Sequence, residues 1–116
     1  MVKWGELNQN IRTLLDTLIK EAKSFGGVTV TESKYWIRLK TNGSAFASLN
    51  PSRNKIRVFI SCDESSIDDP LKWTRPSPST GTWYKVHPLV FNISSSDKIK
   101  YAVNLLKQAY SKVALR

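Results

Sequence analysis

At 116 residues the chain is long enough for one hydrophobic core and too short for two, so a single domain over residues 1–116 is expected. A hydrophobic content of 41% with twelve aromatics spread along the chain argues for a folded globule and against disorder, and the lack of any run of about 18 apolar residues excludes a membrane-spanning helix. Eighteen Lys and Arg against nine Asp and Glu leave +9, a field that favours polyanionic partners.

Four of the nine acids, Asp63, Glu64, Asp68 and Asp69, crowd into one loop, which leaves the rest of the chain at +13. The lone cysteine, Cys62, cannot form an internal disulfide, and the first residues lack the apolar stretch of a signal peptide. The expected compartment is the reducing cytoplasm.

In chain order, the first element is a helix. Ile11, Leu14, Leu15, Leu18, Ile19 and Ala22 recur at helical spacing as one apolar stripe, with Arg12, Asp16, Lys20 and Lys23 outside it. Gly26-Gly27 supplies the left-handed angles that end it. Residues 28–32 form a short β-branched strand that turns near Glu32-Ser33-Lys34 into Tyr35-Trp36-Ile37-Arg38-Leu39-Lys40. Alternation gives this second strand an apolar face of Tyr35, Ile37 and Leu39, and an opposite face of Trp36, Arg38 and Lys40.

Thr41-Asn42-Gly43-Ser44 predicts a two-residue type I′ hairpin, whose central residues both need positive φ. An unbroken ladder from that turn sets Lys40 opposite Ala45, Leu39 opposite Phe46, Arg38 opposite Ala47 and Trp36 opposite Leu49. Paired residues share a face. Ala45, Ala47 and Leu49 would then form a shallow apolar trough beside Trp36, Arg38 and Lys40, with Phe46 inside. Residues 50–54 lead to a fourth strand over residues 55–62, with Ile56, Val58 and Ile60 inward and Lys55, Arg57 and Phe59 outward.

Residues 63–84 show little periodicity, and so long a loop in a small domain is functional or hides a short element. It carries Trp73, Arg75 and Trp83, which either flank the outer face of the sheet or tuck the loop onto the core. A fifth strand, from residue 86 or 88 to Ile93, turns Phe91 and Ile93 inward and holds Pro88 at an edge or at its first position. Ser94-Ser95-Ser96-Asp97 offers caps and an acidic first turn to a second helix. Its stripe is Ile99, Ala102, Val103, Leu106, Ala109, Tyr110 and Val113, and Lys98, Lys100, Lys107 and Lys112 lie elsewhere on it.

This order predicts an α+β, two-layer domain: an antiparallel four- to five-stranded sheet with the N- and C-terminal helices packed on one face. The other face is expected to stay open. Its mixture of aromatics and cations suits sequence-tolerant binding of single-stranded DNA or RNA, since bases stack on rings while phosphates pair with Arg and Lys. The candidate binding residues are Trp36, Arg38, Lys40, Lys55, Arg57, Phe59, Trp73 and Arg75. The alternative is a protein-interaction or homodimer seam in the same trough, because an exposed apolar patch marks an interface. Interface centres exclude charge, and the nearby Arg38 and Arg57 tilt the choice towards nucleic acid. A third surface, the lysines of the second helix, has no interleaved aromatics.

Enzyme signatures are sparse. His87 is the only histidine, so a Ser or Cys nucleophile has no second choice of base. No Gly-rich phosphate loop is present, and no cofactor or metal is expected. Glu32-Ser33-Lys34 matches the Glu-x-Lys half of a metal-dependent nuclease site. That chemistry needs a further carboxylate for Mg²⁺, and none lies between Glu21 and Glu32. The expectation is a binding protein, with nuclease activity as the residual enzyme reading.

Ile67-Asp68-Asp69-Pro70, Trp83, Phe91-Asn92-Ile93-Ser94-Ser95 and Leu105-Leu106-Lys107-Gln108-Ala109-Tyr110 together resemble a small domain family that carries the label "predicted transport protein". In that family a strand ending in small polar residues follows a Trp and feeds an apolar helix that closes with Gln-Ala-Tyr or Gln-Ser-Tyr. With the hairpins of residues 35–60, the resemblance covers about four fifths of the chain. It implies a terminal domain of longer proteins, nuclease-like defence proteins among them, and transfers no chemistry. Where the family has a Gly-rich stretch after the Trp, this chain has Tyr84-Lys85-Val86-His87. A looser kinship of design, without motif matches, is to the non-OB single-stranded DNA-binding proteins of hyperthermophilic archaea.

Overall fold

Helix α1 (Gln9–Lys23) begins where Asn8 Oδ1 accepts the Ile11 amide at 2.9 Å, a cap that satisfies one of the helix's orphan donors. The computed structural model describes residues 8–33, 36–77 and 87–114. Ile11, Leu14, Leu15, Leu18 and Ala22 are buried as the stripe requires, and Ile19 packs at its margin. Gly26 and Gly27 take φ of +100° and +65° and turn the chain towards the sheet.

The sheet has six strands: β1 (Thr29–Glu32), β2 (Ile37–Thr41), β3 (Ser44–Pro51), β4 (Ile56–Ile60), β5 (Arg75–Pro76) and β6 (Leu89–Ile93). All neighbours are antiparallel in the order β1-β2-β3-β4-β6-β5. A 3₁₀ turn, Ser96–Lys98, leads into helix α2 (Ile99–Ala114). Both helices contribute to one core with the inner face of the sheet, around Ile37, Leu39, Leu49, Val58, Ile60 and Phe91. The architecture is the expected two-layer α+β domain with one strand more. The extra strand is β5, two residues long, inside the segment that lacks periodicity. Leu105, outside the expected stripe, is buried with Leu106.

The Asn42-Gly43 turn forms as predicted, with φ of +52° and +77°. The ladder beyond it does not. Lys40 faces Ala45, but Leu39 then faces Ala47, Arg38 faces Ser48 and Ile37 faces Leu49. Phe46 is the extra residue of a β-bulge. Its ring meets Phe25 at 6.4 Å and Tyr110 at 5.4 Å between centroids, and its carbonyl accepts the Ser61 amide at 3.0 Å. The bulge lets Phe46 and Ala47 both face the helices. It also removes the expected trough, because Ala47 and Leu49 belong to the core and only Ala45 remains outside.

Tyr35, Trp83 and the turn residue Lys34 lie outside the described residues, as does residue 86, one of the two expected starts of the last strand.

Candidate nucleic-acid interface

The registers assemble the outer face in rows across the strands. One row runs Thr31, Arg38, Ser48, Phe59, Val90 and Arg75. The next holds Asn50, Arg57 and Asn92. Trp36, just before β2, and Lys55, just before β4, continue the alternation of their strands. Arg38, Lys40, Lys55, Arg57 and Arg75 thus share a face on which none of the described residues is acidic. Arg38, Lys55 and Arg75 are exposed, while Lys40, Arg57 and Trp36 are half-buried.

The centre of the face is not open. Phe59 is only 2% exposed and Ser48 and Val90 are buried beside it, which corrects the expectation of a bare platform. Trp36 meets Phe59 edge-on at 5.5 Å between centroids, and the Arg57 guanidinium carbon lies 5.6 Å from the centre of the Phe59 ring. Phe59 therefore supports these two side chains and is not itself presented for stacking.

His87 is buried against the same face. Its Nε2 lies 2.9 Å from Ser48 Oγ and its Nδ1 lies 3.0 Å from Ser61 Oγ. Ser61 Oγ also lies 3.1 Å from the Ala45 carbonyl, to which it can donate its hydroxyl proton. One imidazole ties β3 to the end of β4.

Trp73 takes the other course open to it. Its ring packs 5.1 Å from Phe91 and 5.6 Å from Tyr101, on the helix side of the sheet. It does not join the outer face. The acidic loop lies on that same side. Asp63 pairs with Lys112 at 3.2 Å, and the backbone of Asp68 exchanges two hydrogen bonds with the Gln108 amide. Asp69 accepts from Trp73 N, Thr74 N, Thr74 Oγ1 and the Tyr101 hydroxyl. Burial pushes this carboxyl up, but the hydrogen bonds from Tyr101, Thr74 and Trp73 outweigh it and hold it below its ordinary value. The lysine surface of α2 is therefore partly neutralised at Lys112.

Other chemistry is thin among the described residues. No three His, Cys, Asp or Glu side chains stand close enough to hold a metal ion. Glu32 is exposed at the end of β1. Burial pushes the Cys62 thiol up, the nearby Lys112 opposes this and Asp63 adds to it, so the buried sulfur is a protonated thiol at neutral pH. No helix among the described residues is long and apolar enough to cross a membrane. A scan of protein-family models and searches of curated proteins and of solved structures each found no match for this chain.

Sequence alone passed over Asn50 and Asn92, which flank Arg57. The signal for Asn92 was available, since alternation from the inward Phe91 and Ile93 turns it outward. The signal for Asn50 was hidden by the bulge.

Proposed function

We propose that the protein binds single-stranded nucleic acid on the outer face of its sheet. Arg38, Lys40, Lys55, Arg57 and Arg75 pair with phosphates, and Trp36 offers the ring on which a base stacks. The observation that carries this reading is the segregation of charge. Five cations share one face without an acid among its described residues, while Asp63, Asp68 and Asp69 are held against α2. A one-signed surface gains affinity for a polyanion by releasing its condensed counterions. Trp36 favours a single strand, because a base inside a duplex does not offer its face to a ring. DNA and RNA both fit these contacts, and a reducing cytoplasm suits the free thiol of Cys62.

The test is fluorescence anisotropy with labelled single-stranded and duplex oligonucleotides at low and moderate salt. Binding of the single strand that weakens with salt, and weakens again in Trp36→Ala, supports the reading. Absence of binding at low salt, or equal affinity after Arg38→Glu and Arg57→Glu, overturns it.

A further inference from the structure

We propose that Arg57 reads guanine, recognising it as the base stacked on Trp36, with Asn50 as the positioning residue for the guanidinium. The inference rests on the nucleic-acid reading above and adds a base preference to it.

Trp36 and Arg57 lean on the same ring, that of Phe59, at 5.5 and 5.6 Å. A base lying on the Trp36 indole therefore brings its edge towards Arg57. Asn50 and Asn92 stand on either side of Arg57 in one row. Arg57 Nη2 donates to Asn50 Oδ1 at 3.5 Å, while Asn92 Oδ1 is buried and takes no hydrogen bond. The guanidinium is thus tethered on one side only, by a long bond. Four of its five N–H groups are not taken by Asn50.

A planar fork that offers only donors matches an edge with two adjacent acceptors. In an unpaired strand two bases have such an edge, guanine at O6 with N7 and cytosine at O2 with N3; guanine, the purine, covers more of the Trp36 indole when stacked, and its edge is the commonest specific base contact of Arg. A phosphate also offers two oxygens, and a Lys ammonium can itself donate to guanine O6 and N7, so a replacement without donors is needed to tell the two uses apart. Arg57→Met removes every donor from the base edge, and Arg38→Met, at another cation of the face, removes a phosphate contact, so the pair separates the two uses.

The experiment compares all-thymine decamers with decamers carrying one central dG, dA or dC. The dG oligomer is expected to bind roughly tenfold tighter than the others. Arg57→Met should bind all four alike, Arg38→Met should bind all four more weakly with the dG preference retained, and Asn50→Ala should lose the preference while keeping most of the affinity for thymine. Equal binding of the four oligomers by the unaltered protein overturns the guanine reading and leaves the parent reading standing. A dG preference that survives Arg57→Met overturns it equally. Free GMP competing as well as the dG oligomer would assign the site to mononucleotides and overturn the strand reading. Failure to bind any oligomer at low salt removes both.

Discussion

The Trp36 ring stands edge-on to Phe59 with centroids 5.5 Å apart, and Phe59 is buried although it lies on the face of the sheet turned away from both helices. Stability and binding therefore divide between the two rings. Phe59→Ala should cost about 3–5 kcal/mol, as loss of a core phenylalanine does. Trp36→Ala should cost much less stability and should weaken single-strand binding by about 1–3 kcal/mol. Urea denaturation and anisotropy titration of both variants check the division. A Phe59→Ala protein as stable as the parent would contradict the support role.

The His87 bridge sets each ring nitrogen against one serine hydroxyl. The Ser61 hydroxyl lies within reach of the Ala45 carbonyl, and a proton donated there predicts hydrogen on His87 Nδ1 and an acceptor at Nε2. Long-range ¹⁵N correlation spectra at neutral pH should show a protonated Nδ1 and a bare Nε2. Ser48→Ala removes the donor to a buried nitrogen and should cost about 1–3 kcal/mol. The reverse tautomer would break the assignment.

How much of this was legible beforehand depended on where the information lay. Alternation in β2 and β4 is local, so the cations of the outer face could be assigned from it. Asn42-Gly43 is local too, and its turn formed. The bulge at Phe46 comes from the packing of that ring against Phe25 and Tyr110, which sit 21 and 64 positions away in the chain. No pattern within β3 encodes it. The burial of Phe59 was hidden for the same reason, because one of its burial partners on that face, Ser48, is tied to His87, which is 39 residues from it in sequence. Trp73 was readable only as a choice between two faces, and Tyr101 and Phe91 decided it.

Asp69 makes the long loop sensitive to acid. Its carboxyl is lowered in the folded protein, so its contribution is complete above the ordinary carboxylate range and fades as pH falls through the lowered value. Hydrogen exchange at the Thr74 amide, which donates to Asp69 at 2.7 Å, should accelerate below about pH 4 relative to amides of β4. In Asp69→Asn that exchange should already be fast at neutral pH. Protection of the Thr74 amide that survives in Asp69→Asn would refute the clamp.

Asn92 holds a buried acceptor with no donor, which costs stability for as long as it is there. Asn92→Val removes that acceptor and adds a β-branched side chain to a strand. It should raise the urea midpoint, by about 1 kcal/mol in stability. A lower midpoint would show that the amide has a partner after all.

The salt dependence of binding tests the central claim most directly. If four or five outer-face cations each neutralise a phosphate, log K for a single-stranded decamer should fall against log salt with a slope of about −3. Arg38→Gln or Arg57→Gln should each flatten it by about 0.7. Lys107→Gln, on the helix layer, should leave it unchanged. A slope near zero, or one that Lys107→Gln alters and Arg38→Gln does not, would contradict an interface on the outer face of the sheet.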